Sequence, residues 1–284
     1  MSEIKQRWRL VFAREEDARY LSHLDAVKGW ERAFRRGDIP VATSEGFSPR
    51  PKLVFAAPLQ LGMLAEHELA DLFLAEKLTA PDLRERLVAG MPRGYRLLEL
   101  HDVWVGASAI APRLTAADYR VTLLNVEQAR LAGAAERLMA AEKLPRERRK
   151  ETKSTSYDLR ALILELRVGP PEAAAVPPDA AGTPAAGLWM RLRHSQSLGS
   201  GRADEVVAAL AEAMGIGAVL APVGDDEAGA AEGSGEDTGH AALSAVAGTA
   251  AAGTPPAAPT PAGPPLELLR PVSERLWLVD EPKD

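Results

Sequence analysis

The tetrapeptide Ser22-His23-Leu24-Asp25 places a hydroxyl, an imidazole and a carboxylate together where an alternating strand pattern gives way to a helical one. Two readings of it stand. Ser22 as an N-cap with an acid three residues on is a variant of the capping box, which accounts for Ser22 and Asp25 without any chemistry. His23 at the positive end of a helix would have a lowered proton affinity, leaving a neutral imidazole able to bind a ligand or to act as general acid or base. Arg32, Arg35 and Arg36 lie further along at i, i+3 and i+4 and form one basic stripe with Lys28. Such a stripe is either a solvated helix face or a contact for phosphate or an acidic partner. In the loop Ser44-Glu45-Gly46-Phe47-Ser48-Pro49-Arg50-Pro51, Gly46 permits an unusual backbone angle and the two prolines stiffen its C-terminal half. Phe47 there either plugs the core or, beside Arg50 and Lys52, stacks on a flat ligand.

Residues 143–160 are the most basic segment, with Lys143, Arg146, Arg148, Arg149, Lys150, Lys153 and Arg160 against Glu147, Glu151 and Asp158. The Thr/Ser-rich middle reads as a loop with mobile, exposed charges suited to RNA or to an acidic surface. A glycine turn at 197–202 precedes a helical pattern, a weak anion-site signal without a Walker-type lysine. His23, His67, His101, His194 and His240 show no paired zinc-ligand spacing. Neither a nucleophile-elbow nor a dinucleotide-binding glycine motif is present. No metal and no cofactor is expected.

The elements that must position these groups are set by periodicity. Strand, helix, strand, strand, helix, strand is the expected order for 7–13, 23–37, 53–57, 68–74, 81–89 and 95–103. The second half repeats it at 118–124, 126–142, 157–168, 188–194, 203–214 and 266–279. The simplest fold is α+β, two tandem ferredoxin-like βαββαβ units spanning 1–106 and 115–220 plus 265–280. Residues 170–187 and 221–264, rich in Ala, Gly and Pro, are expected to be disordered insertions in the second unit.

The chain has 284 residues, 46% hydrophobic and 26% charged, a folded-protein profile of about two domains. Residues 221–264 carry Asp225, Asp226, Glu227, Glu232, Glu236 and Asp237 and no Lys or Arg, which equals the whole formal charge of −6. The remainder is about neutral, so net charge does not argue against an anionic ligand. There is no membrane-spanning apolar run, and the early charges Glu3, Lys5, Arg7 and Arg9 leave no signal-peptide core, which predicts a cytoplasmic protein. The absence of cysteine excludes disulfides, thiol catalysis and cysteine-held metal.

Ser22-His23-Leu24-Asp25, Gly46-Phe47-Ser48-Pro49-Arg50-Pro51 and Pro58-Leu59-Gln60-Leu61-Gly62 resemble a radical-SAM-linked family of uncharacterised function. Its members are companion domains fused to, or encoded beside, a radical SAM protein with a cobalamin-type domain. The resemblance covers residues 7–103 well and the second half more loosely, through Lys153, Asp158, Arg160 and the glycine turn. It implies an accessory role with a radical SAM protein as partner, since a chain without thiolates cannot hold the iron–sulfur cluster itself. The binding residues on this reading are His23, Asp25, Arg32, Arg35, Arg36, Phe47, Arg50, Lys52, Lys153, Asp158 and Arg160. The leading expectation is a non-catalytic module that presents a substrate such as RNA. The alternatives are a metal-independent endoribonuclease using His23, by fold analogy, and a scaffold that binds no RNA.

Overall fold

The computed structural model describes residues 3–44, 47–150, 153–195, 199–216, 218–219 and 266–278. It is a mixed α+β protein with largely antiparallel sheets and, among the described residues, five α-helices. The first half opens with β1 (Gln6–Arg14), in which Trp8, Leu10 and Phe12 alternate with Arg7, Arg9 and Val11. Next, α1 (His23–Arg36) buries Ala26, Gly29, Trp30, Ala33 and Phe34, one helical stripe, and stops at Gly37. Then come β2 (Leu53–Phe55), β3 (Leu64–Leu74), α2 (Ala80–Gly90) and β4 (Tyr95–Val103). All pairings are antiparallel, in the order β4-β1-β3-β2. Trp8, Leu10, Phe12, Trp30, Phe34, Leu72, Leu74, Leu83 and Leu87 form one core between this sheet and the two helices. The helices approach closely because a Cβ at Gly90 would overlap the Ala33 carbonyl oxygen.

A short α3 (Ile110–Arg113) leads into β5 (Leu114–Leu124) and α4 (Gln128–Ala140). After these come β6 (Pro145–Lys150), β7 (Lys153–Asp158), β8 (Ile163–Gly169), β9 (Ala185–Ser195) and β10 (Gly199–Ser200). The described chain ends with α5 (Ala203–Met214), β11 (Ala218–Val219) and β12 (Leu266–Leu278). Here the order is β12-β5-β9-β8, again antiparallel. A parallel pairing of Val272 with Leu64 and of Ser273 with Ala65 links β12 to β3, so both halves share one ten-stranded sheet. Leu131, Leu138, Val206, Val207 and Leu210 of α4 and α5 pack on Ala117, Tyr119, Val121 and Leu123 of β5 and on Leu188, Met190 and Leu192 of β9. No helix among the described residues is long and apolar enough to cross a membrane.

Three segments differ from expectation. The single strand expected over 157–168 is two strands separated by a 3-10 turn at Arg160–Leu162. The expected mobile basic loop is the hairpin β6–β7, docked on α5 through Arg146–Glu212 (2.7 Å) and Arg148–Glu205 (2.9 Å). Its Ser154-Thr155-Ser156-Tyr157 run favours extended structure, and the distant carboxylates neutralise charges that looked free. Residues 170–187, expected to be disordered, carry 3-10 turns at Ala173–Ala175 and Pro178–Ala180, bury Ala175 and supply the start of β9. The insertion expected at 221–264 lies outside the described residues.

Candidate functional site

Ser22 is the N-cap of α1: its hydroxyl oxygen accepts from the Asp25 N–H (3.2 Å) while its proton goes to the Asp25 carboxylate (2.9 Å). Ser22→Ala should therefore cost about 1 kcal/mol of stability, read from denaturant unfolding. A change below a few tenths would remove the cap assignment. His23 packs edge-on against Phe55, ring centroids 5.4 Å apart. Beneath this helix start, Arg14 donates to the carbonyls of Ala18, Arg19 and Leu21. Arg19 and Gly62 exchange backbone and side-chain bonds, so the Pro58–Gly62 loop is tied to the entry of α1.

The other residues singled out from sequence lie elsewhere. Arg36 donates to the Gly90 carbonyl at the end of α2 (2.6 Å), while Arg32 and Arg35 are exposed on the outer side of α1. Thr43 bridges Pro51, and Ser44 and Arg50 are bonded, so Phe47 projects fully exposed from a small hairpin. Lys52 lies over the Phe73 ring (4.8 Å), which Arg7 also approaches (5.2 Å). Phe73 pairs with Arg7 at the far end of β1 from α1, on the face opposite Phe12 and Phe55. His23 and Lys52 are therefore not brought together. Asp158 accepts from the N–H groups of Leu144 and Arg160, and Arg160 donates to the carbonyls of Met139 and Ile163. Both tie the hairpin to its neighbours. The side chain of Lys153 lies outside the described residues.

The residues that do converge are on the second half, on the face of β5, β8 and β9 turned away from α4 and α5. Strand alternation puts Leu188, Met190 and Leu192 into the core and Trp189, Arg191 and Arg193 on that face. The ladders set Trp189 between Arg120 of β5 and Arg167 of β8, and Arg191 between Asp118 and Glu165. The Arg167 guanidinium stacks over the indole at 3.6 Å, and that of Arg191 lies 5.3 Å from it. Arg191 is bonded bidentately to Asp118, and this bond raises its pKa further against the smaller opposing effect of burial. Arg120 pairs with Glu66 (2.6 Å) and lies 3.4 Å from Glu172.

An open cavity of about 340 Å³ is lined by Trp189, Arg167, Arg120, Thr122, Glu172 and Gly187. A second of about 830 Å³, lined by His67, Arg96 and Leu98, shares Arg120 and Glu172 with it, so the two adjoin. Gly187 is required here, because a Cβ would overlap the Pro170 carbonyl that crosses β9 at that point. That crossing, with the Glu172 N–H bonded to the buried Thr122 hydroxyl (3.3 Å), holds the Glu172 backbone beside the cavity. None of Trp189, Arg167, Arg120 or Glu172 stood out in the sequence, although alternation in 188–193 would have paired the tryptophan with Arg191 and Arg193. Among the described residues no cluster of three or more His, Asp or Glu could hold a metal ion.

Fold and site together define an α+β protein whose second half presents an aromatic and guanidinium-lined sheet face. The chain belongs to DUF2344, a family described as an uncharacterized protein conserved in bacteria, whose model matches residues 7–194. No curated protein matches it. A crystal structure of an unknown protein from Galdieria sulphuraria is similar at 15% identity over 73% of this chain and 91% of that one. Its TM-score of 0.23 is too low to carry an argument about fold or function.

Proposed function

We propose that this protein is a non-catalytic binding module that holds single-stranded RNA on the Trp189 face. Each half is, on this reading, a ferredoxin-like unit, in keeping with the strand orders β4-β1-β3-β2 and β12-β5-β9-β8. A four-stranded sheet with helices on one side and an aromatic on the other is a general platform for unstacked bases. The observation that carries the reading is Trp189 on a central strand, under a stacked guanidinium and beside a cavity. A radical SAM enzyme as the partner receiving the RNA comes from the motif resemblance alone, and a cytoplasmic setting from the early charges Glu3, Lys5, Arg7 and Arg9. The exposed Phe47 hairpin is then a contact for that partner.

Four guanidinium groups on this face, Arg120, Arg167, Arg191 and Arg193, stand with four carboxylates, Asp118, Glu165, Glu172 and the Glu66 paired with Arg120, while Arg193 donates to the Ala161 carbonyl. With no excess charge, stacking rather than phosphate attraction supplies the affinity. The expected salt dependence is shallow, a log–log slope of about −1, whereas a phosphate-driven site would be several-fold steeper. Trp189→Ala should weaken binding of a short single-stranded RNA by about 1–3 kcal/mol, measured by fluorescence anisotropy. Equal binding by wild type and Trp189→Ala would remove this face from the site.

A further inference from the structure

The groups around the cavity differ in what they offer a base: Trp189 and the Arg167 guanidinium give flat surfaces, Arg120 gives donors, and Glu172 gives two acceptor oxygens. We infer that this cavity is a guanine-selective subsite in which Glu172 reads the base. The inference rests on the RNA-binding reading above and adds which base is chosen.

Guanine alone among the four RNA bases carries two adjacent donors, N1–H and the N2 amino group, which match the two oxygens of a carboxylate. Adenine and cytosine each place one amino donor beside an acceptor nitrogen, which a carboxylate repels. Uracil has a single N–H between two carbonyls. Guanine also presents O6 and N7 as acceptors, the usual targets of arginine. The cavity therefore holds a carboxylate and guanidinium donors in the combination that guanine complements, next to a stacking surface. About 340 Å³ is at the small end of ligand pockets, suited to one base rather than to a paired helix.

The backbone places Glu172 beside the cavity, and Arg120 is the neighbour of its carboxylate. The Glu172 N–H is held by Thr122, which is 2% exposed, and the Pro170 carbonyl two residues before it passes so close over Gly187 that a Cβ there would overlap it. The Glu172 side chain is 37% exposed, its Oε2 lies 3.4 Å from Arg120 Nε, and Arg120 has the shorter contact with Glu66 at 2.6 Å. A guanine can take up the carboxylate without leaving Arg120 uncompensated.

The test uses the full chain and dye-labelled hexanucleotides of uridine carrying one central G, A, C or U, with anisotropy as the readout. The G oligonucleotide should bind between about fivefold and about a hundredfold more tightly than the others, the range for one bidentate reading contact. Glu172→Gln, an isosteric change of a partly exposed side chain, should reduce that preference to within about twofold while the U hexamer still binds. Binding of all four with equal affinity, or a preference for G that survives Glu172→Gln, would overturn the guanine assignment and leave the RNA reading in place. Binding of none of the hexamers would overturn both.

Discussion

Asp71→Ala is expected to destabilise the protein by about 3–5 kcal/mol, the scale for leaving buried charge uncompensated. Asp71 is fully buried in β3 and accepts from Nε and Nη2 of Arg7 and from Nε and Nη2 of Arg9. Arg7 is only 2% exposed, and its remaining donors go to the carbonyls of Ala107 and Ser108, which fastens the link between the halves to the first sheet. Removal of the carboxylate leaves two guanidinium groups in a site where water cannot replace it. Urea unfolding measures the loss. The combined replacement Arg7→Met, Arg9→Met, Asp71→Leu should lie much closer to wild type, because an apolar set of similar size needs no desolvated charge. A cost below about 1 kcal/mol for Asp71→Ala would show that the cluster is solvated and not a structural tie.

The same cluster shows where a reading of residues alone succeeds and where it stops. Alternation in 7–13 predicts a strand, and β1 is one, but it also makes Arg7 and Arg9 look like the solvent side. They are buried because Asp71 is more than sixty positions away in sequence and directly alongside in the ladder. Local signals behave differently. The Ser22 cap, the apolar stripe ending at Gly37, and Thr79 with Pro81 at the start of α2 are all encoded within a few residues, and both helices are legible from them. The hairpin β6–β7 is obscured for the converse reason: Arg146 and Arg148 are neutralised by Glu212 and Glu205 on α5, which no local pattern announces.

The candidate site divides in the same way. Its strand, β9, and the alternation of Trp189 with buried Leu188 and Met190 are visible in the sequence. The convergence of Arg167, Arg120 and Glu172 on that tryptophan depends on which strands pair, and Glu172 stands in a segment whose composition suggests no structure at all. Composition there reflects a chain held by crossing the sheet at Gly187 rather than by burying large side chains. A search for chemistry confined to motifs therefore meets the helix start at His23 and passes over the sheet face.

Glu68 carries the remaining large expectation, and its direction is opposite to that of most carboxylates. It stands across from Phe12 in the β1–β3 ladder, 5% exposed, with Oε1 lacking a hydrogen-bond partner. Burial pushes its pKa from 4.5 up to about 7, against a smaller pull downward from Arg14. Between these two values the folded protein keeps a proton on Glu68 that the unfolded chain has released. Stability must then fall as pH rises through that window and level off above it, because the native state is the one that binds more protons. The whole gap is worth about 3 kcal/mol. Glu68→Gln keeps the shape and removes the titration. It should be close to neutral at pH 4 and more stable than wild type by up to about 3 kcal/mol at pH 8. Arg14 does not depend on the lost charge, since its donors are met by the carbonyls of Ala18, Arg19 and Leu21. Urea unfolding of both proteins at pH 4, 6 and 8 gives the comparison. A difference that stays flat across these three values would mean that Glu68 titrates in the native state as it does in the unfolded chain, with its carboxylate solvated or paired.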